Sequence, residues 1–391
     1  MDCAFDRYCP AGTVAALRVA DLRSDPRKLV EKESMTARAA FSDGEDAALA
    51  RAHPLTLFGF DALIAGAARP RPGAMAFRDE HDGEADEATY ADLYQRVGAG
   101  LSLLRAFDFV RGERVLICCP PSAQSFVLLT AALAAGLDPV LAPLPLPYSR
   151  DAVANAARAL KVSGLFGPGR FCGLDFETPL LEIAADAPSI RLIGTLHGAL
   201  DGAADFSSRS LAAEATPRVR LDDDWGADER RLIGALDDLG QVDFTTQGAL
   251  LGAALDLVRM TRAAGDAPVL SLCAPSSLAA LVAGPLAALL AGRPLHFLAP
   301  FKSARFIETL DALGPTRLVA PASILPDLGR AGLLTNGALV SVTAVCNGAG
   351  APRLDAEPAC PIIELRVAGG AVSLRAAHAP AHGEKGAAAR K

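Results

Sequence analysis

The side chains that could do chemistry lie in separate short segments of this 391-residue chain. Ser276 and Ser277 could act as nucleophiles, but no histidine lies near them in sequence to activate a hydroxyl. Helix capping is the better assignment for both. His378 and His382 are four residues apart, but Pro380 between them breaks the helix that a metal site of this spacing needs. Side-chain spacing therefore predicts no catalytic residue and no metal site.

Two other segments have the composition of a metal site or a phosphate loop, but their residue patterns do not favour ligand binding. Residues 222–224 are three consecutive aspartates, which indicate solvated charge rather than a metal site. Residues 164–170 contain three glycines, but Pro168 removes an amide donor where a phosphate loop needs one. A plain turn is the better interpretation of this second segment.

The composition excludes several classes of function. A net charge of −7, a pI near 5.5 and an aromatic content of 5% argue against a nucleic-acid partner. None of the eight cysteines forms a Cys-x-x-Cys pair, which is typical of a cytoplasmic protein with reduced thiols packed in its core. The N-terminus lacks the basic and apolar regions of a secretory signal, so we expect none.

Residues 89–145 contain the clearest structural pattern. Apolar residues recur at helical spacing after Thr89, which is placed to cap the helix, with Asp92 in the position of a capping-box acid. Residues 115–119 read as a buried strand, a helix follows from Ser122 to Gly136, and residues 140–142 form the next strand. This order predicts one right-handed βαβ unit.

A similar pattern recurs later in the chain. Residues 270–300 repeat the strand, Pro-Ser turn, apolar helix, glycine stop, strand and proline of residues 116–143. Residues 115–137 and 267–292 carry no charge, but prolines and a polar turn divide each into strand plus helix, so we expect no membrane span. The repeat predicts an α/β fold with two similar parallel-rich sheets flanked by helices, in which residues 115–119 and 269–273 are central strands.

Composition shifts suggest four regions. We predict a partly ordered extension over residues 1–54, a first α/β subdomain over residues 55–190, a second over residues 191–375, and a disordered tail over residues 376–391.

Five short motifs within residues 89–145 resemble those of a known enzyme family. They are Thr-Tyr-Ala-Asp-Leu at 89–93, Gly-Glu-Arg-Val at 112–115, Pro-Ser at 121–122, Ala-Gly at 135–136 and Pro-Leu at 143–144. In order and spacing they resemble the front of the adenylate-forming enzymes, the AMP-dependent acyl-CoA synthetases and ligases. The resemblance covers roughly residues 55–375 and implies the large N-terminal domain of that family. The family's small C-terminal domain, with its catalytic lysine, has no counterpart in this sequence.

The resemblance implies a loop rich in Ser, Thr and Gly, ending in lysine, that cradles the triphosphate of ATP. Phe244 and Thr245 match the strand end before that loop, and Thr246 begins the segment that matches the following helix. The loop itself is missing. Ser276 lies on the turn where the family usually places an aromatic residue or histidine near the acyl pocket.

The nucleotide end of the site is better kept. Asn347, Gly348, Ala349 and Gly350 resemble the turn that packs against adenine. Glu364 lies in the strand before the family's segment that supplies an adenine-stacking tyrosine, a threonine and the magnesium-binding glutamate, and residues 366–370 replace that segment. The predicted vestigial nucleotide or acyl groove is therefore lined by Phe244, Thr245, Thr246, Ser276, Asn347, Gly348, Ala349, Gly350 and Glu364.

Three hypotheses of function follow. The first is a degenerate adenylate-forming domain, a pseudoenzyme with no cofactor, which binds a small apolar or acyl ligand, a second copy of itself or a partner protein. The second is an acyl-activating ligase with an atypical site or with its missing parts supplied by a partner subunit, and only this one requires ATP, AMP or CoA. The third is a structural half of a hetero-oligomer.

Overall fold

The computed structural model describes residues 59–81, 84–213, 232–237, 240–261, 265–346, 354 and 357–378. Every described residue belongs to one compact unit. The predicted disordered tail begins too early, because residues 376–378 belong to a strand and pair with residues 362–363. The predicted N-terminal extension, the aspartates at 222–224 and the tail beyond residue 378 lie outside the described residues.

The described strands alternate with helices along most of the chain. The strands are β1 (Met75–His81), β2 (Glu84–Thr89), β3 (Arg114–Cys118), β4 (Asp138–Ala142), β5 (Gly164–Gly167), β6 (Arg170–Phe171), β7 (Leu174–Asp175), β8 (Leu192–Thr195), β9 (Ala204–Asp205), β10 (Leu232–Leu236), β11 (Val242–Thr246), β12 (Val269–Ser271), β13 (Leu295–Leu298), β14 (Thr316–Pro321), β15 (Leu339–Cys346), β16 (Ile362–Ala368) and β17 (Ala371–His378).

The helices are α1 (Phe60–Ala68), α2 (Tyr90–Ala106), α3 (Ala123–Ala134), α4 (Arg150–Leu160), α5 (Glu177–Asp186), α6 (Ser208–Ala213), α7 (Gln247–Met260), α8 (Leu278–Leu281), α9 (Ala287–Ala291), α10 (Ser303–Leu313) and α11 (Leu325–Arg330). A π-helical turn, Val282–Leu286, joins α8 to α9 and contains Pro285, whose missing amide disfavours the regular helical pattern there.

The strands form two large sheets across the described residues. Sheet I has the order β11-β10-β4-β3-β5-β8-β9, and sheet II has the order β17-β16-β15-β14-β12-β13-β1-β2. Pairing is parallel within both sheets except at the pairs β10–β11, β1–β2 and β16–β17. The two similar parallel-rich sheets predicted from the repeat are confirmed, with β3 and β12 at interior positions of different sheets.

Helices cover both faces of each sheet. One cluster of buried side chains joins α1, α2, α3, α7, α8 and α9 to one face of sheet I and one face of sheet II. A second cluster packs α4 and α5 on the other face of sheet I, and a third packs α10 and α11 on the other face of sheet II. The result is five layers, helix–sheet–helix–sheet–helix, which is why the central strands are continuous apolar runs.

Local sequence accounts for the individual elements. Thr89 accepts the amide of Asp92 at 3.2 Å, and Asp92 accepts the amide of Thr89 at 2.9 Å, so the predicted capping box begins α2. The uncharged stretches 115–137 and 267–292 are β3 with α3 and β12 with α8 and α9, as predicted. Over the residues that the structure describes, no helix combines the length and the apolar character that crossing a membrane requires.

Sheet membership does not follow the boundary predicted at residue 190. The early strands β1 and β2 pair in sheet II, and β8 to β11, which come after that position, pair in sheet I. The physical reason is that a strand joins whichever sheet edge offers it unpaired backbone groups. Composition along the chain carries no information about that choice.

Two glycines test this packing. Gly66 lies inside α1 with nothing within 4 Å of an added Cβ, whereas a Cβ on Gly194 in β8 would lie 2.7 Å from Cε1 of Phe166 in the neighbouring β5. We expect Gly66→Ala to raise the free energy of unfolding by about 0.5–1 kcal/mol through helix propensity. We expect Gly194→Ala to lower it by about 1–3 kcal/mol through overpacking. Urea denaturation of both variants measures this, and equal effects would contradict the packing of β8 on β5.

Candidate functional site

The junction between β11 and α7 stands where the resemblance implies a phosphate-binding loop. β11 ends at Thr246 and α7 begins at the next residue, Gln247, so the strand enters the helix with no intervening loop. Thr246 is the N-cap of α7, and its hydroxyl accepts the amide of Ala249 at 3.2 Å. The Gln247 side chain accepts the amide of Phe60 at 3.0 Å and so ties the junction to α1. Both polar side chains are used in holding the junction.

The turn between β16 and β17 lies against this junction. Gly369 and Gly370 form the turn with φ angles of 56° and 77°, a left-handed conformation that glycine adopts without strain. A Cβ on Gly370 would overlap the carbonyl oxygen of Phe244. Side chains of the hairpin, Val367, Val372 and Leu374, pack on the central cluster. The edge of sheet II therefore closes onto the edge of sheet I at Phe244.

The serine turn before α8 has a structural role. The Ser277 hydroxyl accepts the amide of Ala280 at 3.2 Å and caps the helix, as expected from the sequence. Ser276 lies one residue earlier in the turn and is half-buried.

Phe244 and Glu364 do not share a pocket. Phe244 shares a face of β11 with Val242, which packs on the outer cluster of sheet I with α4 and α5. Glu364 shares a face of β16 with Ile362, which packs on the outer cluster of sheet II. The carboxylate of Glu364 is buried and accepts a hydrogen bond from Arg366 at 2.6 Å. The two side chains thus point toward opposite outer layers.

The remaining predicted site residues are divided. Thr245 is buried on the face of sheet I that meets the central cluster, because its register partner Ile233 packs there. Asn347, Gly348, Ala349 and Gly350 lie outside the described residues, directly after β15. Within the described part of the chain, the structure brings the strand end at Phe244–Thr246 together with the hairpin turn at Gly370.

A polar cluster that sequence reasoning missed joins the two sheets. The Ser122 hydroxyl lies 2.8 Å from Nε2 of His197, and both side chains are buried. Asp79 of β1 accepts a hydrogen bond from the amide of Ala123 on both carboxylate oxygens, at 3.0 and 2.8 Å. Asp79 therefore binds the N-terminus of α3. Ser122 and His197 each follow the carboxyl end of a strand in one parallel sheet, and that shared position was the available sequence signal.

The surroundings of this cluster favour a structural role over catalysis. The His197 ring lies 4.9 Å from that of His81 and 5.3 Å from that of Phe171, measured between ring centroids. Burial, with His81 acting in the same direction, lowers the pKa of His197 to about 3, against an opposing effect of Asp86. Ser122 is completely buried, and the carboxylate of Asp79 occupies the helix amide that an oxyanion would need. The cluster links sheet II to sheet I.

Comparison with known proteins agrees with the motifs. Residues 64–225 match the family described as AMP-binding enzyme. A salicyl-AMP ligase / salicyl-S-ArCP synthetase of Mycobacterium tuberculosis is 31% identical over 144 residues, which are 36% of this chain and 24% of that protein. The matched segment thus spans about a quarter of the curated relative's length.

Solved structures share the fold. Acetoacetyl-CoA synthetase of Streptomyces lividans has a TM-score of 0.60 at 18% identity, covering 79% of this chain and 51% of that chain. ATP-bound MatB of Rhodopseudomonas palustris has a TM-score of 0.59 at 18% identity, covering 78% and 59%. Apo MbtA of Mycobacterium smegmatis has a TM-score of 0.57 at 18% identity, covering 83% and 55%. The resemblance to the large domain of the adenylate-forming enzymes is confirmed.

The contact of the hairpin turn with Phe244 can be tested with two neighbouring glycines. Gly369 and Gly370 both have positive φ, but an added Cβ meets nothing within 4 Å at Gly369 and overlaps the Phe244 carbonyl at Gly370. Alanine at either position carries the left-handed strain of about 1–2 kcal/mol. We expect Gly370→Ala to lower the free energy of unfolding by at least about 1 kcal/mol more than Gly369→Ala. It should also speed amide exchange at residues 244–249, and equal exchange in both variants would contradict the contact.

The buried imidazole of His197 predicts a dependence of stability on pH. An unfolded histidine takes up a proton near its ordinary pKa of 6.5, whereas folded His197, with a pKa of about 3, does not until much lower pH. Stability is therefore fully present above pH 6.5 and decreases as the pH falls. Between pH 7.5 and 5 this effect of His197 lowers the free energy of unfolding by about 2 kcal/mol.

The matched variant for this prediction is His197→Gln. Burial raises the pKa of Asp79, which makes stability increase with acid, but this effect is common to both proteins. The difference in the free energy of unfolding between wild type and variant should narrow by about 2 kcal/mol from pH 7.5 to 5. Parallel pH curves from urea denaturation would show that His197 is not buried as described.

Proposed function

We propose that this chain, an adenylate-forming ligase-like domain, does not activate carboxylic acids by itself. It works instead by binding a small apolar or acyl ligand or a partner protein. The proposal extends the predicted pseudoenzyme, and it rests on one observation above the others, the direct passage of β11 into α7 at Thr246 and Gln247.

The direct junction matters because activation of an acid by ATP develops charge on phosphate oxygens. A cradle of amides, hydroxyls and a lysine lowers the barrier by several kcal/mol, and each ~1.4 kcal/mol changes the rate tenfold. At this junction the Thr246 hydroxyl accepts the amide of Ala249 and the Gln247 side chain accepts the amide of Phe60, and no glycine or lysine lies between the two residues to build such a cradle. The Gly370 turn lies against the carbonyl of Phe244, two residues before Thr246, and reduces the space beside the junction.

Glu364, in the strand that resembles the one before the family's magnesium-binding segment, supports the same proposal. Glu364 is buried on the outer face of sheet II and is paired with Arg366. A carboxylate neutralised by an adjacent guanidinium is a poor ligand for a hydrated magnesium ion, which requires negative charge and room for several waters.

The names of similar proteins suggest which class of small molecule this chain binds. The name of the mycobacterial relative specifies salicylate, an aryl acid, and the name of a structural neighbour specifies acetoacetyl-CoA. We infer that a ligand of this chain, if small, belongs to the acyl or aryl acids and binds with its apolar body rather than through a phosphate. The partner alternative is a second copy of the chain or a different protein.

The decisive experiment is ATP–pyrophosphate exchange with the purified full chain. We expect no exchange above background with acetate, palmitate or salicylate, while an active adenylate-forming ligase assayed in parallel gives full signal. Thermal shift with the same acids, in the absence of ATP, reports binding separately from turnover. Acid-dependent exchange by the chain alone would refute the proposal. The binding part of the proposal would be refuted by a chain that is monomeric by light scattering, captures no protein from native lysate, and has a melting temperature that neither acids nor AMP raise.

A further inference from the structure

Three arginines lie together at the amino-terminal edge of sheet II, opposite the end that carries the candidate site. Arg71 precedes β1, Arg293 precedes β13 and Arg317 is the second residue of β14. The strands are parallel, and Leu295 of β13 lies opposite Phe77 of β1. Because parallel strands start at the same edge, these three side chains come from one end of the sheet. We call Arg71, Arg293, Arg317 and the adjacent Tyr90 the arginine cluster.

Contacts connect the members of the cluster in sequence. The guanidinium carbon of Arg71 lies 5.4 Å from the centroid of the Tyr90 ring, and its Nη1 donates to the carbonyl of Gly292 at 3.2 Å. Arg293, the next residue, forms an ion pair with Asp266. Arg317 donates from Nη2 to the carbonyl of Gly265, next to Asp266, at 2.6 Å. A continuous path therefore runs from Tyr90 to Arg317.

The cluster carries an excess of positive charge in a chain whose net charge is −7. Asp266 forms an ion pair with Arg293, and the Asp266 side chain is 86% exposed. Burial lowers the pKa of Arg317, and the charge of Arg293 lowers it further, while Asp266 opposes both. Burial raises the pKa of Tyr90, and the charges of Arg71 and Arg293 oppose that rise. Arg293 thus acts on both ends of the cluster.

Two buried donors of the cluster lack a hydrogen-bond partner among the described residues. They are the Tyr90 hydroxyl and Nε of Arg317, in side chains that are 0% and 8% exposed. Buried polar groups in folded proteins are nearly always paired, so each orphan donor needs an explanation. The Tyr90 hydroxyl and the Arg317 guanidinium both donate hydrogen bonds, and the arginines of the cluster add positive charge. Together these groups suit an anion that accepts hydrogen bonds.

We propose that the arginine cluster binds a phosphate group, either free phosphate or the phosphate of a small monoester. Guanidinium groups bind phosphate through paired N–H donors, and a phenol adds a further donor to an oxygen. The site lies at the amino-terminal edge of sheet II, whereas the β16–β17 turn that meets Phe244 lies at the carboxyl end of β16 in the same sheet, so the site is independent of the function proposed above. Its occupation stabilises the loop that carries Gly265 and Asp266 against β14.

The test measures the melting temperature of the full chain in potassium phosphate against potassium chloride at equal ionic strength. We expect a saturable rise of about 2–8 °C in phosphate for the wild type, because a ligand that binds the folded state stabilises it. Glycerol 3-phosphate is the second probe, and a lower half-saturating concentration than that of inorganic phosphate identifies a monoester as the preferred ligand. An equal or higher value identifies free phosphate.

Four variants separate binding from a structural role. Tyr90→Phe and Arg293→Gln should weaken phosphate binding at least about tenfold. Tyr90→Phe should melt no lower than wild type in chloride, because it removes an orphan hydroxyl. Asp266→Asn should strengthen binding, since it removes the anion that competes for Arg293. Arg330→Gln is the matched control, because Arg330 is an exposed arginine paired with Asp327 in α11, and it should respond as wild type.

Either of two results would overturn the proposal. The first is no saturable rise in the wild type with either probe. The second is an equal rise in all five proteins, which would show a general salt effect. A structural role alone predicts that Asp266→Asn leaves the response to phosphate unchanged, so that variant decides between the two roles.

Discussion

The carboxylate of Asp79 ties sheet II to the central helix layer. It belongs to β1 of sheet II, it is buried, and it accepts the first amide of α3, a helix of the central layer beside sheet I. A buried carboxylate is tolerated only where hydrogen bonds and positive potential replace water, and a helix N-terminus supplies both. Because the Ala123 amide is fixed at the start of α3, its hydrogen bond to Asp79 restricts the movement of β1 relative to α3.

Neighbouring contacts extend this constraint. His81 follows Asp79 by two residues and meets the ring of His197, which in turn binds Ser122 at the residue before α3. Arg96 of α2 makes a two-pronged ion pair with Asp86 of β2, at 2.9 Å for each bond. These polar contacts take up the carboxyl ends of β1, β3 and β8, which in open α/β sheets are the usual place for a ligand. Here the same edge is used to join the sheets.

At the lateral edges formed by β17 in sheet II and β11 in sheet I, the β16–β17 turn makes a second contact between the sheets through backbone atoms. Gly370 lies against the Phe244 carbonyl, and the helix after β11 starts without a loop. The fold therefore keeps the two-sheet frame of the adenylate-forming enzymes while its sheet edges are occupied by protein. The unpaired buried donors lie elsewhere, at the amino-terminal edge of sheet II with Tyr90 and Arg317.

The sequence by itself determined the elements and one part of the site. Short apolar runs specified β3 and β12, Thr89 with Asp92 specified the start of α2, and the sequence after Thr245 contains no residues for a loop between β11 and α7. Each of these depends on neighbours within a few positions, so local pattern is sufficient.

Only the tertiary structure decided which sheet β1 and β2 join, that Ser122 meets His197 from 75 residues away, and that Phe244 and Glu364 face opposite layers. The residue pattern of a strand indicates that one face is buried, but it does not indicate which segment packs against that face. The partner of a sheet edge or a buried polar group is chosen by which distant segments pack together, and that choice leaves no local mark in the sequence.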